Sequence, residues 1–303
     1  MPYTEFICPD GEKVKIEECL TACRLQGVKD QYGKLYCPAG RCLTKQVLRQ
    51  IAKQREWTGK PSTTQLLNGT RENYLKLTND YAICPKDSMF MLFGTSVHNG
   101  LEEHTDEKSG ELAELRLEDE YSTGAFDYYT PENGGTLVDT KSYGSYKAAG
   151  VLGLQPFEVP TGELYKTGAK KGQPKYKKIF KEGGVHKRLD LAIQLNDYRM
   201  KIEKNLNLPV ENLACQMTVR DGGTYIASSR GVTENSYLVP INKISDRWVE
   251  RYMKAKSNRL ISALSCKKLP PPCEYRERWG GRKCENYCPV NHLCDFYMKQ
   301  KGK

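Results

Sequence analysis

"TLVDTKSY", Thr136–Tyr143, is a run of strand length that carries an aspartate and a lysine two places apart. Side chains two apart on a strand point to the same face, so Asp139 and Lys141 face one way together. A chance surface ion pair would explain them. So would the edge of an active site in which Asp139 holds a metal ion and Lys141 stands beside it. The other parts of such a site must come from elsewhere in the chain.

Upstream, "LAELRLEDEYSTGAFDYYTPENGG" has strand-like pieces at about 112–118 and 123–130. The segment 136–141 is the next strand, and Pro131–Gly135 supplies the glycines of a hairpin turn. Asp127 then lies on the strand adjoining Asp139. Two carboxylates at close range repel, and a divalent cation relieves that while taking oxygen ligands. The cation would acidify a bound water and neutralise phosphate charge, and Lys141 would orient that water or offset developing negative charge. These parts suit phosphodiester hydrolysis.

Helical spacing marks 43–51, "SMFMLFGTSVHNGLEEH", "HKRLDLAIQLNDYRMKIEKN" and "NKISDRWVERYMKAKSNRLISALS". Lys60-Pro61 breaks the chain, and Ser62 or Thr63 caps a new helix. "LACQMTVRDGGTYIASSRG" reads as two strands joined by Asp221-Gly222-Gly223. Helices on both sides of a small mixed sheet give an α/β core.

The order of the motifs resembles the PD-(D/E)xK nucleases. The closer likeness is to their RecB-like branch, which includes lambda-type exonucleases and the CRISPR-associated iron–sulfur nucleases. The helix histidine is matched by His98 in "LFGTSVHNGLE", and G-x-x-D by Gly124 to Asp127. The acidic-x-Lys strand is matched by Asp139-Thr140-Lys141, and Q-x-x-x-Y by Gln194 and Tyr198. The resemblance spans about 100 residues and implies a restriction-endonuclease-like core. It implies that His98, Asp127 and Asp139 ligate Mg²⁺ or Mn²⁺, with the Thr140 carbonyl adding a ligand and Lys141 assisting the attacking water. Gln194 and Tyr198 would share one helix face beside the metal, against the DNA backbone. Glu102, one turn after His98, would support the site, and Glu118 is a weaker carboxylate candidate.

Composition fits this class. The chain has 303 residues, 38% hydrophobic and 28% charged, with a net charge of +10. That favours a polyanionic partner, most simply DNA. No window has the apolar length of a membrane span and no signal peptide is evident, so a cytoplasmic location is expected. Twelve cysteines in a reducing compartment point to metal rather than disulfides. They cluster at the two ends, giving three segments: an N-terminal cysteine module at 1–45, the nuclease core at 46–250, and a helix with a cysteine-rich cap at 251–303.

In the cap, Cys284, Cys288 and Cys294 have x3 and x5 gaps, with Cys273 upstream. Thiolates so placed suit Zn²⁺ or an iron–sulfur cluster. The resemblance favours [4Fe–4S], although the family pattern is C-x2-C-x5-C. Cys273 is the simpler fourth ligand and distant Cys84 the alternative. Four of Cys8, Cys19, Cys23, Cys37 and Cys42 would enclose a Zn²⁺ that staples a segment too short for its own core. The lysine-rich stretch 165–188 reads as a long, flexible loop suited to following a phosphate backbone.

The expectation is a metal-dependent DNA exonuclease or end-processing enzyme of recombination or repair. The likeness to phage and mobile-element enzymes implies a strand-annealing partner, and a homo-oligomer is left open as an alternative. A non-catalytic nucleic-acid-binding protein held by metal clusters is the rival, and an RNA nuclease a third reading.

Overall fold

The computed structural model describes residues 3–182 and 188–302. In chain order the elements begin with β1 (Glu5–Ile7), β2 (Lys13–Lys15), α1 (Ile16–Thr21), α2 (Lys45–Ala52), α3 (Thr63–Leu66), α4 (Thr70–Thr78), β3 (Ala82–Ile83) and α5 (Met89–Glu102). Next come β4 (Leu112–Ala113), β5 (Arg116–Glu118), β6 (Thr123–Ala125), β7 (Tyr128–Thr130), β8 (Thr136–Tyr143), α6 (Ser145–Val151), β9 (Leu154–Leu164) and β10 (Pro174–Glu182). The chain closes with α7 (Leu189–Leu206), β11 (Asn212–Val219), α8 (Tyr225–Ser228), β12 (Ser236–Ile241), α9 (Asp246–Ser265), α10 (Arg282–Asn286) and α11 (Asp295–Lys301). This is a mixed α/β protein with several small sheets.

Compact packing cuts across the sequence segments 1–45, 46–250 and 251–303. One unit comprises 1–97, 118–124 and 250–303, and the other 98–117 and 125–249. In the first, β1 pairs antiparallel with β2 and parallel with β3. Phe6, Val14, Leu48 and Ile51 form a small core there. Ser62 caps α3 in a reciprocal box with Gln65, which satisfies two otherwise orphaned donors.

The second unit holds a five-stranded sheet of order β12-β11-β8-β7-β4. β8 is interior, antiparallel to β7 and parallel to β11 over eight register pairs from Asn212↔Thr136 to Val219↔Tyr143. Leu191, Leu195, Tyr198 and Ile202 of α7 recur at helical spacing. They join Leu137, Leu213 and Met217 in the core, so the face of β8 that carries Asp139 is buried. The turn into β8 requires glycine. Gly135 has φ +93°, and a Cβ there would lie 1.8 Å from the Pro209 carbonyl oxygen.

Two local expectations are corrected. The segment after Asp221-Gly222-Gly223 is not a strand. Thr224 caps Ala227 N–H and starts α8, and β11 finds its antiparallel partner in β12 instead. The lysine-rich stretch is only partly a loop: 165–173 is loop and turn, whereas 174–182 is strand β10. β9 and β10 pair as an antiparallel hairpin, with Ile179 opposite Phe157 and Tyr176 opposite Pro160. Tyr, Ile and Phe have strand preference that the surrounding lysines mask. Residues 183–187 of that stretch lie outside the described residues.

Candidate metal centre

The strands leading to β8 are interrupted where chemistry collects. The pieces read as 112–118 and 123–130 break at Glu114 and at Phe126-Asp127. Glu114 takes φ +50°, an uncommon conformation for a non-glycine residue. The breaks face each other: Glu114 N–H donates to the Asp127 carbonyl at 3.2 Å, and Phe126 N–H to the Leu115 carbonyl at 3.3 Å. Both carboxylates thereby leave the regular pleat and meet His98 on α5. His98 Nδ1 lies 3.0 Å from Glu114 Oε1 and 3.6 Å from Asp127 Oδ1. Among the described residues these three make up the one group of His, Cys, Asp or Glu donors whose ligand atoms all lie within 4.8 Å of one another.

Asp139 sits next to this group, 1% exposed. Lys141 Nζ is 2.7 Å from its carboxylate, and Gln194 Nε2 donates to Oδ1 at 3.0 Å. Asp139 Oδ2 has the nearby ammonium charge but no aligned hydrogen bond. Thr140 N–H donates to Asp127 Oδ2 at 2.6 Å, which ties β8 to the loop that carries Asp127. Tyr198 is buried one turn beyond Gln194 and hydrogen-bonds with it.

The electrostatics follow from crowding. Burial, and then the charge of Asp139, push the Asp127 pKa up to about 7. The hydrogen bond to Glu114 raises the His98 pKa against the opposing pull of burial. Burial pulls Lys141 down, but Asp139 and Asp127 outweigh it and hold its ammonium firmly charged. Cys215 is level with Asp139 in the β11–β8 register. Burial, reinforced by Asp139, lifts its thiol to about 12, so it behaves as a packing residue. Lys147 on α6 lies 3.9 Å from the centroid of the Tyr143 ring. Burial and the neighbouring Arg188 lower it to about 8.

His98, Asp127, Asp139, Lys141, Gln194 and Tyr198 are thus brought together, and Gln194 meets Asp139 directly. The Thr140 contact described is through its N–H. Of the auxiliary acids, Glu102 is exposed on α5, and Glu118 is paired with Lys60 at 3.4 Å. Sequence reading missed Glu114. Its one local signal is a carboxylate between two short apolar pieces, which spacing rules do not select.

An oxygen-rich donor set with one imidazole fits Mg²⁺ or Mn²⁺. The clustered like charges and the poorly satisfied Asp139 oxygen fit it as well.

In the first unit, Cys273, Cys284, Cys288 and Cys294 line one partly open cavity of about 30 Å³ with Arg71 and Glu72. A Cβ on Gly69 would fall 2.2 Å from Cys273 Sγ, so glycine makes room for that sulfur. Arg71 Nη1 lies 3.8 Å from Cys294 Sγ, and the N–H groups of Glu72 and Val290 hydrogen-bond to Cys273 and Cys288. Cys84 follows β3 and is not among the lining residues. At the other end, Cys8, Cys19, Cys23, Cys37 and Cys42 influence one another electrostatically, and Cys23 hydrogen-bonds with Cys37. Cys266, just past α9, is the exposed cysteine of the twelve. No described helix is long and apolar enough to cross a membrane.

No known family profile matches the chain, and neither does any curated protein. Among solved structures, the chain is similar to a protein designated SSO0001. The TM-score is 0.40 and the identity 12%, covering 83% of this chain and 93% of the other. An inferred exonuclease from Eubacterium rectale aligns with a TM-score of 0.29 and 11% identity, over 83% of this chain and 77% of that one.

Proposed function

We propose that this protein is a Mg²⁺- or Mn²⁺-dependent DNA nuclease, an exonuclease or end-processing enzyme of recombination or repair. The carrying observation is the convergence of His98, Glu114 and Asp127 beside a buried Asp139 that is salt-bridged to Lys141. A cation held by His98, Asp127 and Asp139, with Glu114 as a further donor, supplies charge neutralisation at a phosphate and an acidified water. The chain's own side chains do the positioning. Gln194 fixes one oxygen of Asp139 and leaves the other without an aligned hydrogen bond. Thr140 N–H fixes Asp127. Lys141 presents a permanent positive charge where an attacked phosphodiester gains negative charge, and Lys147 adds a second cation nearby.

End-labelled DNA incubated with Mn²⁺ tests this reading. Cleavage is expected from the native chain, none from Asp139→Ala, and about 10²–10³-fold slower cleavage from Lys141→Ala. Cleavage that survives both substitutions rejects the site, and no cleavage under any metal favours the binding-protein reading. Parallel RNA substrates separate a DNA from an RNA nuclease.

The cap cavity supports a [4Fe–4S] cluster. All four thiols line one cavity, a donor set that suits an iron–sulfur cluster or Zn²⁺, and the likeness of the C-terminal cysteine spacing to that of the iron–sulfur nucleases favours the cluster. The N-terminal cysteines are assigned to a stapling Zn²⁺ held by four of the five, whose thiols must close further around the ion. Anaerobic purification with an absorption spectrum and elemental analysis tests both: iron with a brown colour for the cap, one zinc for the N-terminal segment.

A further inference from the structure

We propose that the β9–β10 hairpin is an arm that enters the major groove of duplex DNA, so that the substrate of the metal centre is a duplex end rather than a free single strand. The substrate clause rests on the nuclease reading; the arm itself does not. The hairpin is a two-stranded ribbon, and among the described residues neither strand pairs with a third. Its nine-residue β10 spans about 30 Å at strand rise. A ribbon of two strands is the β-element that the groove, about 12 Å wide, admits.

Charge names the occupant. Residues 154–182 contain seven lysines and three glutamates. Lys166, Lys170, Lys171, Lys177, Lys178 and Lys181 are exposed. Register puts Lys177 beside Val159 and Lys181 beside Gln155, on the face that also holds Phe157. Lys181 lies 5.5 Å from the centroid of the Phe157 ring. Lys170 and Lys175 flank Tyr165 near the tip, at 5.9 and 6.0 Å. The aromatic rings orient the lysine stems; Lys175 is ion-paired with Glu163 at 3.0 Å, while Lys170 and Lys181 are exposed. The base is anchored: Phe180 packs so closely on Gly231 that a Cβ there would sit 2.5 Å from the ring. In sequence the arm joins α6, which directly follows the catalytic strand, to α7, which carries Gln194 and Tyr198. A duplex gripped by the arm is thereby referred to the elements that build the site.

The test is fluorescence anisotropy in EDTA, where no metal-dependent cleavage intervenes. It uses a blunt DNA duplex, the same sequence as a single strand, and an RNA duplex, with the native chain and the triple variant Lys170→Ser, Lys177→Ser, Lys181→Ser. These side chains are exposed, so the melting temperature serves as the folding control. Three lost phosphate contacts lower the slope of log affinity against log salt by about 2.7. Between 50 and 200 mM salt the native chain should therefore lose roughly 40-fold more duplex-DNA affinity than the variant. Single-strand binding should barely change, and neither should RNA-duplex binding, because the A-form major groove is too deep and narrow for the arm. An unchanged duplex slope overturns the proposal, as does equal loss on all three ligands or no duplex binding by the native chain. Arm-dependent binding without Mn²⁺ cleavage would sink the nuclease reading alone, and cleavage with an unchanged slope would sink the arm alone.

Discussion

Asp127→Asn should make the metal-free protein more stable while removing its activity. Burial and the nearby Asp139 hold the Asp127 pKa at about 7, against roughly 3.9 in an unfolded chain. A raised acid pKa means that the unfolded state gives up its proton first. Stability is therefore lost as pH rises from about 4 to about 7, and the cost stays constant above that. Three units at 1.36 kcal/mol each set an upper bound of about 4 kcal/mol at pH 8, and relaxation around the ionised group halves it to about 2 kcal/mol. Asparagine carries no charge, yet its carbonyl still accepts the Thr140 N–H that Asp127 Oδ2 now receives at 2.6 Å. In EDTA at pH 8 the variant should melt about 4–8 °C above the native chain. At pH 5 the gap should shrink to roughly a third, since most of the window between the two pKa values has been left behind. Mn²⁺ should raise the melting temperature of the native chain and not that of the variant. Differential scanning fluorimetry at the two pH values, with and without Mn²⁺, reads all of this. A variant that melts lower than the native chain at pH 8, or a gap independent of pH, would refute the crowded-carboxylate account of the site.

Glu114→Gln should weaken Mn²⁺ binding in calorimetry by about 10–100-fold, and an NMR titration should show the His98 pKa falling, because the hydrogen bond that raises it loses its charged acceptor. Lys141→Ala should cut cleavage by about 10²–10³-fold with Mn²⁺ affinity retained. It should also destabilise the metal-free chain by about 3 kcal/mol in urea unfolding, since Asp139 is left buried without its cation. Gly69→Ala should strip iron from the cap, because its Cβ would meet Cys273 Sγ at 2.2 Å; elemental analysis should show N-terminal zinc unchanged. As pH rises through about 8, the charge on Lys147 is lost. DNA affinity should fall over that range in the native chain and less so in Lys147→Met, as read by anisotropy in EDTA.

The parts of this fold with strict periodicity were legible in the sequence. Asp139 and Lys141 share a face because β8 is a regular strand. Gln194 and Tyr198 share one because α7 is a regular helix whose apolar residues recur every three or four positions. The site was legible only where it lies on such elements. Glu114 sits on a left-handed residue between two short strands, and no periodic pattern marks a side chain that a kink re-aims. The β9–β10 arm was hidden for a different reason. Its lysines and glycines carry the composition of a loop, and only cross-strand pairs such as Ile179 with Phe157 declare the ribbon. The grouping of 1–97 with 250–303 depends on contacts between distant segments, which local patterns do not encode.

The exposure of Cys266 has a practical outcome. Its eleven companions are at least partly shielded, so a maleimide dye under mild conditions should label the end of α9 first. The same accessibility invites air oxidation between two molecules. A covalent dimer on a non-reducing gel would then report handling rather than biology, and a Cys266→Ser chain is the right starting material for weighing the particle in solution.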